Sequence, residues 1–167
     1  MLEVLDALEH AEVPAWLAGG WGIDALLGEV TRRHGDLDIV VDLRSERQAR
    51  AALYRIGYRT VDERAEAGRW MPLLSVLRDR AGRTVEVLPV RTSNDQTDSA
   101  DSLFARPGAF SEGWLAGRTV RCLSATTQLT VHQGYEPTSS DRRDVARVCE
   151  RYGLRVPPPY DKISAHV

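Results

Sequence analysis

Asp36 and Asp38 stand one residue apart in an apolar run, GDLDIVV, and this pair constrains the chain more than any other feature. The run has the composition of a strand, and in a strand side chains two apart share a face. The two carboxylates therefore project together while Leu37 and Ile39 point the other way. Like charges so close repel each other and push one pKa upward unless a cation joins them. Carboxylate oxygens suit a hard divalent ion such as magnesium. A D-x-D triplet alone is too common to fix a function, so its neighbours matter. The preceding stretch, WLAGGWGIDALLG, reads as a short apolar strand that turns through Gly19 and Gly20 into a helix. Unhindered backbone N–H groups at the positive end of a helix form a phosphate site in principle. The same glycine pair also serves a purely structural turn, because only glycine takes a positive φ without strain.

The rest of the chain supplies elements around this centre. Val4, Leu5 and Leu8 recur at helical spacing, which predicts a helix over 2–11 that stops before Pro14. A strand over 15–18 and a helix over 20–27 follow, with Gly28 at the helix end. Trp21 either packs in the core or stacks on a base or sugar, and Asp24 either favours the helix N-terminus or orients a metal ligand. Thr31, Arg32, Arg33 and His34 form a basic turn, either solvated or gripping phosphates with arginine forks. Ser45-x-x-Gln48 reads as a capping box for a helix ending at Gly57.

Strands are expected at 58–63, 73–79 and 83–90, the last two joined as a hairpin at Ala81-Gly82. Within that hairpin Glu86 lies between Val85 and Val87, so it faces solvent or reaches a metal, since burying an unpaired carboxylate is costly. Residues 92–113 show no period and read as a loop whose acids, Asp95, Asp98 and Asp101, are a solvated run or a surface for a cationic substrate. A strand at 118–123 precedes a helix capped by Ser124, and Thr138-x-x-Asp141 is a capping box for a helix to Tyr152, ended by Gly153. His132 and Tyr135 either touch substrate or pack in a helix interface, and the tail with Pro157 to Pro159 is expected to be extended.

Composition narrows the classes. A net charge of −2 gives no general field for a nucleic-acid backbone, which disfavours nucleic acid as a partner. Two cysteines make neither a disulfide framework nor a zinc motif, and the acidic, amphipathic start does not resemble a signal peptide. No apolar run approaches a membrane span of about 20 residues. A reduced, cytoplasmic setting is expected.

Together GGWGIDALLG, TRRHGDLDIVV and the acid in VEVLPV resemble the nucleotidyltransferase superfamily that includes DNA polymerase beta, and more closely its lincosamide and aminoglycoside nucleotidyltransferases. RTVRCLSA, HQGYEPTSSDRRDV and VCERYG resemble the C-terminal helical section of that group. The resemblance implies an α+β fold: a small mixed sheet with helices on one side, as a core over 1–123, and a helical section over 124–167 packed on it as one unit. It implies AMP transfer, ATP being the donor, to a hydroxyl of a small cationic antibiotic, with pyrophosphate released. Asp36, Asp38 and Glu86 would be the catalytic carboxylates and would bind magnesium, two ions in all. Gly19, Gly20, Arg32 and His34 would contact the triphosphate. Where the group carries aspartate as its third acid, this chain has Glu86. A protein or tRNA acceptor, as in toxin-like relatives, and a nucleotide-binding relative without catalysis are the alternatives. The resemblance also makes a homodimer an expectation, with the helical pair near 124–152 as a candidate surface.

Overall fold

The computed structural model describes residues 1–68, 71–92 and 103–161. Its spine is a mixed sheet of seven strands in the order β3-β4-β5-β2-β1-β7-β6. In chain order these are β1 Ala15–Leu17, β2 Asp36–Asp42, β3 Arg59–Gly68, β4 Met71–Arg78, β5 Thr84–Val90, β6 Phe110–Leu115 and β7 Arg118–Leu123. Five helices accompany them: α1 Leu2–His10, α2 Gly19–Leu27, α3 Glu46–Arg55, α4 Ala125–His132 and α5 Ser139–Tyr152. The short β1 sits in the middle, antiparallel to β2 and parallel to β7, and β2 runs parallel to β5.

Period-2 alternation divides the sheet into two faces with different partners. Leu37, Ile39 and Val41 of β2, with Val85 and Val87 of β5, enter a core built with Val4, Leu8, Ile23, Leu53, Leu129, Val145 and Val148. Every helix therefore contributes to one face of the sheet, as the resemblance implied. Val40 and Leu88 point the other way, into a second cluster with Leu74, Val76, Leu103 and Phe104. Trp16 closes its edge by stacking on Phe110, with ring centroids 4.2 Å apart. Asp36, Asp38 and Glu86 alternate in phase with Val40 and Leu88, so the three acids lie on the face away from the helices.

Several terminators follow from local chemistry. Gly28 and Gly153 end α2 and α5 in the left-handed region, where a side chain is strained. Thr138 and Asp141 make the expected capping box, and the Ser124 hydroxyl accepts from Thr127 N–H. The β4–β5 hairpin closes through Gly82, at φ +82°, and the Asp79 carboxylate accepts from the Arg83 N–H at 2.8 Å.

Four expectations need correction. Ser45 does not cap α3: it lies in a 3-10 turn over Leu43–Ser45, without a capping bond, and the Gln48 amide donates to the Ala11 carbonyl instead. Residues 110–113, expected in the loop, belong to the edge strand β6, which pairs with β7 across the turn at Ala116-Gly117. β3 extends to Gly68, well past the expected end. The tail is not extended throughout, because it turns at Pro157–Asp161 and buries Tyr160, whose hydroxyl donates to the His132 carbonyl at 2.7 Å. The acids Asp95, Asp98 and Asp101 lie outside the described residues.

The edge strand depends on a glycine. A Cβ on Gly113 would come within 2.3 Å of the Ala25 carbonyl oxygen, so β6 lies directly on the backbone of α2. Gly113→Ala is expected to cost about 1–3 kcal/mol in urea denaturation, as overpacking against a rigid backbone does. Gly35→Ala, where nothing lies within 4 Å, is the control and should change stability far less.

Candidate functional site

The site begins with the register of two parallel strands. β2 and β5 place Asp38 level with Glu86, and Asp36 one pleat earlier on the same face. The Ala18 N–H donates to the Asp38 carbonyl at 2.9 Å, which ties the end of β1 to the second aspartate. The chain then turns through Gly19 into α2. Gly19 has φ +53°, and a Cβ there would fall 2.0 Å from Asp38 Oδ2. The phosphate-type turn and the acidic strand are therefore in direct contact.

The electrostatics reflect that crowding. Burial, then the charges of Asp36 and Glu86, raise the Asp38 pKa to about 8, and a hydrogen bond with Glu86 adds to the rise. Glu86 is also raised, first by burial and then by Asp36, with Arg64 and the Asp38 hydrogen bond working against it. Asp38 thus favours its protonated form more than an ordinary carboxyl does, because burial and its acidic neighbours oppose its charge. Among the described residues, no group of three or more His, Cys, Asp or Glu side chains is arranged to hold a metal ion. The donor chemistry of the acids nonetheless fits a hard divalent cation: every side-chain donor they offer is a carboxylate oxygen, and their mutual repulsion is what such an ion would relieve.

The basic turn is held by buried acids. Asp24 is fully buried in α2, where its carboxylate accepts from the Thr31 hydroxyl at 2.6 Å and lies 2.5 Å from His34 Nε2. The His34 ring also meets Trp21, with centroids 4.6 Å apart. Arg32 donates from Nε and Nη2 to Asp144 Oδ2 on α5, at 3.0 and 2.7 Å. Both basic side chains reach the glycine turn, since a Cβ on Gly20 would lie 2.3 Å from His34 Nδ1 and 2.7 Å from Arg32 Nη2. Gly19, Gly20, Arg32 and His34 are thus brought together at the start of α2, next to Asp38.

Some of these roles were open in the sequence. Asp24 orients His34, and Trp21 packs on that ring and on the core. His132 is buried, its Nδ1–H donating to the Gln128 carbonyl at 2.8 Å, with its pKa lowered by burial, so it is an interface residue. Asp144 and Gln128 were not foreseen. The signal for Asp144 was an acid at the buried phase of a helix whose other inward residues are Val145, Val148 and Cys149. Gln128 is fully buried against Gly22, where a Cβ would fall 2.0 Å from its amide nitrogen.

Comparison with known proteins places this geometry. The sequence model of the aminoglycoside-2''-adenylyltransferase family matches residues 1–148. The chain belongs to that family. It is 29% identical over 147 residues to a lincosamide resistance protein of Staphylococcus haemolyticus, spanning 85% of this chain and 88% of that protein. It is 30% identical over 122 residues to a 2''-aminoglycoside nucleotidyltransferase of Klebsiella pneumoniae, spanning 73% of this chain and 64% of that protein. The crystal structure of the lincosamide antibiotic adenylyltransferase LnuA, lincomycin-bound, matches with a TM-score of 0.70 at 30% identity, covering 88% of this chain and 92% of that one. ANT(2'')-Ia in complex with adenylyl-2''-tobramycin shares the fold, with a TM-score of 0.71 at 24% identity over 91% of this chain and 87% of that one. As a member of this adenylyltransferase family, the chain is a nucleotidyltransferase.

The raised Asp38 pKa has a consequence for stability. A carboxylic acid favoured in the folded state contributes fully at low pH, and that contribution is lost as pH rises through the folded pKa. With divalent metal chelated, stability should therefore decline on this account from about pH 4 to pH 8. Asp38→Asn, which removes the titration, is expected to flatten the decline and raise the melting temperature at pH 8. A parallel decline in the variant would refute the assignment.

Proposed function

We propose that this adenylyltransferase-family member transfers AMP from ATP to a hydroxyl of a small cationic antibiotic of the lincosamide or aminoglycoside type. The observation that carries the reading is the contact of the acidic strands with the glycine turn: Asp38, level with Glu86, lies against Gly19 at the start of α2. The family match supports the reaction class, and the names of the relatives support the acceptor class.

Each part of the site has a role in this reading. Backbone N–H groups at the start of α2 precede the first intrahelical bond, from Gly22 N–H to the Ala18 carbonyl, and are free to meet phosphate oxygens. Arg32 adds positive charge beside them, and His34 brings a ring nitrogen to the same turn. Asp36, Asp38 and Glu86 would hold magnesium, two ions in the full reading. Bound there, magnesium supplies charge neutralisation for the triphosphate and for the leaving pyrophosphate. Glu86, its pKa raised by burial, is suited to accept the proton of the acceptor hydroxyl. The hydroxyl oxygen forms a bond to the α-phosphorus as the bond from that phosphorus to the α,β-bridging oxygen breaks. The products are the AMP ester, pyrophosphate and one proton. A cytoplasmic setting provides the ATP.

Pyrophosphate release should be measured with each nucleoside triphosphate and magnesium against a panel of lincosamides and aminoglycosides. Release with ATP that depends on one antibiotic class is expected, and Asp36→Ala should lower turnover by about 10²–10³ or more while the fold is kept. Release independent of any antibiotic, or full activity in Asp36→Ala, would overturn the proposal.

A further inference from the structure

We propose that Asp144, on the C-terminal helix α5, is a positioning residue of the triphosphate site, fixing the Arg32 guanidinium against the start of α2. The inference rests on reading that turn as the phosphate site, and it makes the C-terminal helix a working part of nucleotide binding.

The geometry has two sides. On one, the Asp144 carboxylate accepts from two nitrogens of the Arg32 fork. Asp144 is only 3% exposed, and a buried carboxylate needs a charged partner with good geometry. On the other side, Arg32 Nη2 lies within 2.7 Å of the position a Gly20 Cβ would take, and the Arg32 side chain keeps 29% of its exposure. The guanidinium is therefore held through Nε and Nη2 by Asp144 and through Nη1 by the Arg33 carbonyl at 3.3 Å, and it stays partly exposed beside the start of α2.

The pairing serves each partner differently. Asp144 relieves the cost of its own burial, while Arg32 loses the rotamers that would point its fork away from the turn. A long side chain left free would have to be ordered each time a phosphate binds; here the ordering is built into the fold. Asp144 lies 112 residues from Arg32, so the last helix sets the conformation of a turn near the start of the chain. A tie that merely joined α5 to the basic turn would not require Arg32 Nη2 to fill the space that a Cβ on Gly20 would take.

The test is equilibrium binding of a non-hydrolysable ATP analogue with magnesium, compared with binding of adenosine, in the wild type, Asp144→Asn, Asp144→Glu, Arg32→Ala and Asp144→Asn with Arg32→Ala. Asp144→Asn is expected to weaken analogue binding about tenfold or more, with adenosine affinity unchanged. In the catalytic assay, KM for the triphosphate should rise while KM for the acceptor is unaffected. Asp144→Glu should restore part of the loss, and the double variant should bind the analogue no worse than Arg32→Ala alone. Should Asp144→Asn fail to fold, Arg32→Lys keeps the charge without the fork and should show the same selective loss. Analogue affinity within twofold of wild type in folded Asp144→Asn, or additive losses in the double variant, would overturn the proposal. If the wild type bound no analogue at all, the phosphate-site reading itself would fall.

Discussion

The site depends on the parallel pairing of β2 with β5. A parallel ladder fixes which residues stand level, and this one sets Asp38 against Glu86. A slip of one residue would send Glu86 to the helical face and bring Val85 or Val87 into its place. The apolar neighbours prevent that slip: Leu37, Ile39, Val85 and Val87 are all buried in the helix-covered core. The hydrophobic face of the strands thus enforces the acidic one, and it holds the carboxylates together against their own repulsion.

That arrangement asks much of the turn that follows β1. Gly19, Gly20 and Gly22 are each approached from a different direction, by Asp38, by the Arg32 and His34 pair, and by Gln128 with the Leu17 carbonyl. Three parts of the chain converge on this single turn of helix, leaving no room for a Cβ. Among the described residues, neither polar atom of the Gln128 amide has a hydrogen-bond partner, a disfavoured state for a fully buried group. Packing against the glycine helix is what the residue gains at that position.

Much of this was legible because local rules acted alone. The period-2 spacing of Asp36 and Asp38, the turn at Gly82 and the capping box at Thr138 all depend on residues near in sequence, and each appears as expected. The misses share a different cause. Ser45 had the pattern of a cap, but Asp42 already accepts from the Arg44 N–H and starts a 3-10 turn there, while Gln48 finds a partner at the C-terminal end of α1. β6 carries Gly113 and a half-exposed Trp114, a weak strand signal, because its pairing with β7 and its contact with α2 decide its form. Tyr160 looked like part of a proline-rich tail until the His132 carbonyl offered it an acceptor. The acid partners of Arg32 and His34 were the hardest to read, since Asp144 becomes a neighbour only after α5 has docked.

Those acids also explain how a basic turn and a carboxylate cluster coexist at such short range. Left unpaired, the Arg32 guanidinium would be free to turn toward the opposite charges of Asp36 and Asp38. Instead Asp24 holds His34 at 2.5 Å and Asp144 holds Arg32 at 2.7 Å. Each is buried, so the attraction is screened less than a surface pair would be. The result is a layered turn: the carboxylates of β2 and β5 on one side of the glycines, Arg32 and His34 beside them, and the buried acids Asp24 and Asp144 bonded to that basic pair. Under the proposed function, a triphosphate with its cations would meet an arrangement that the fold already holds in place.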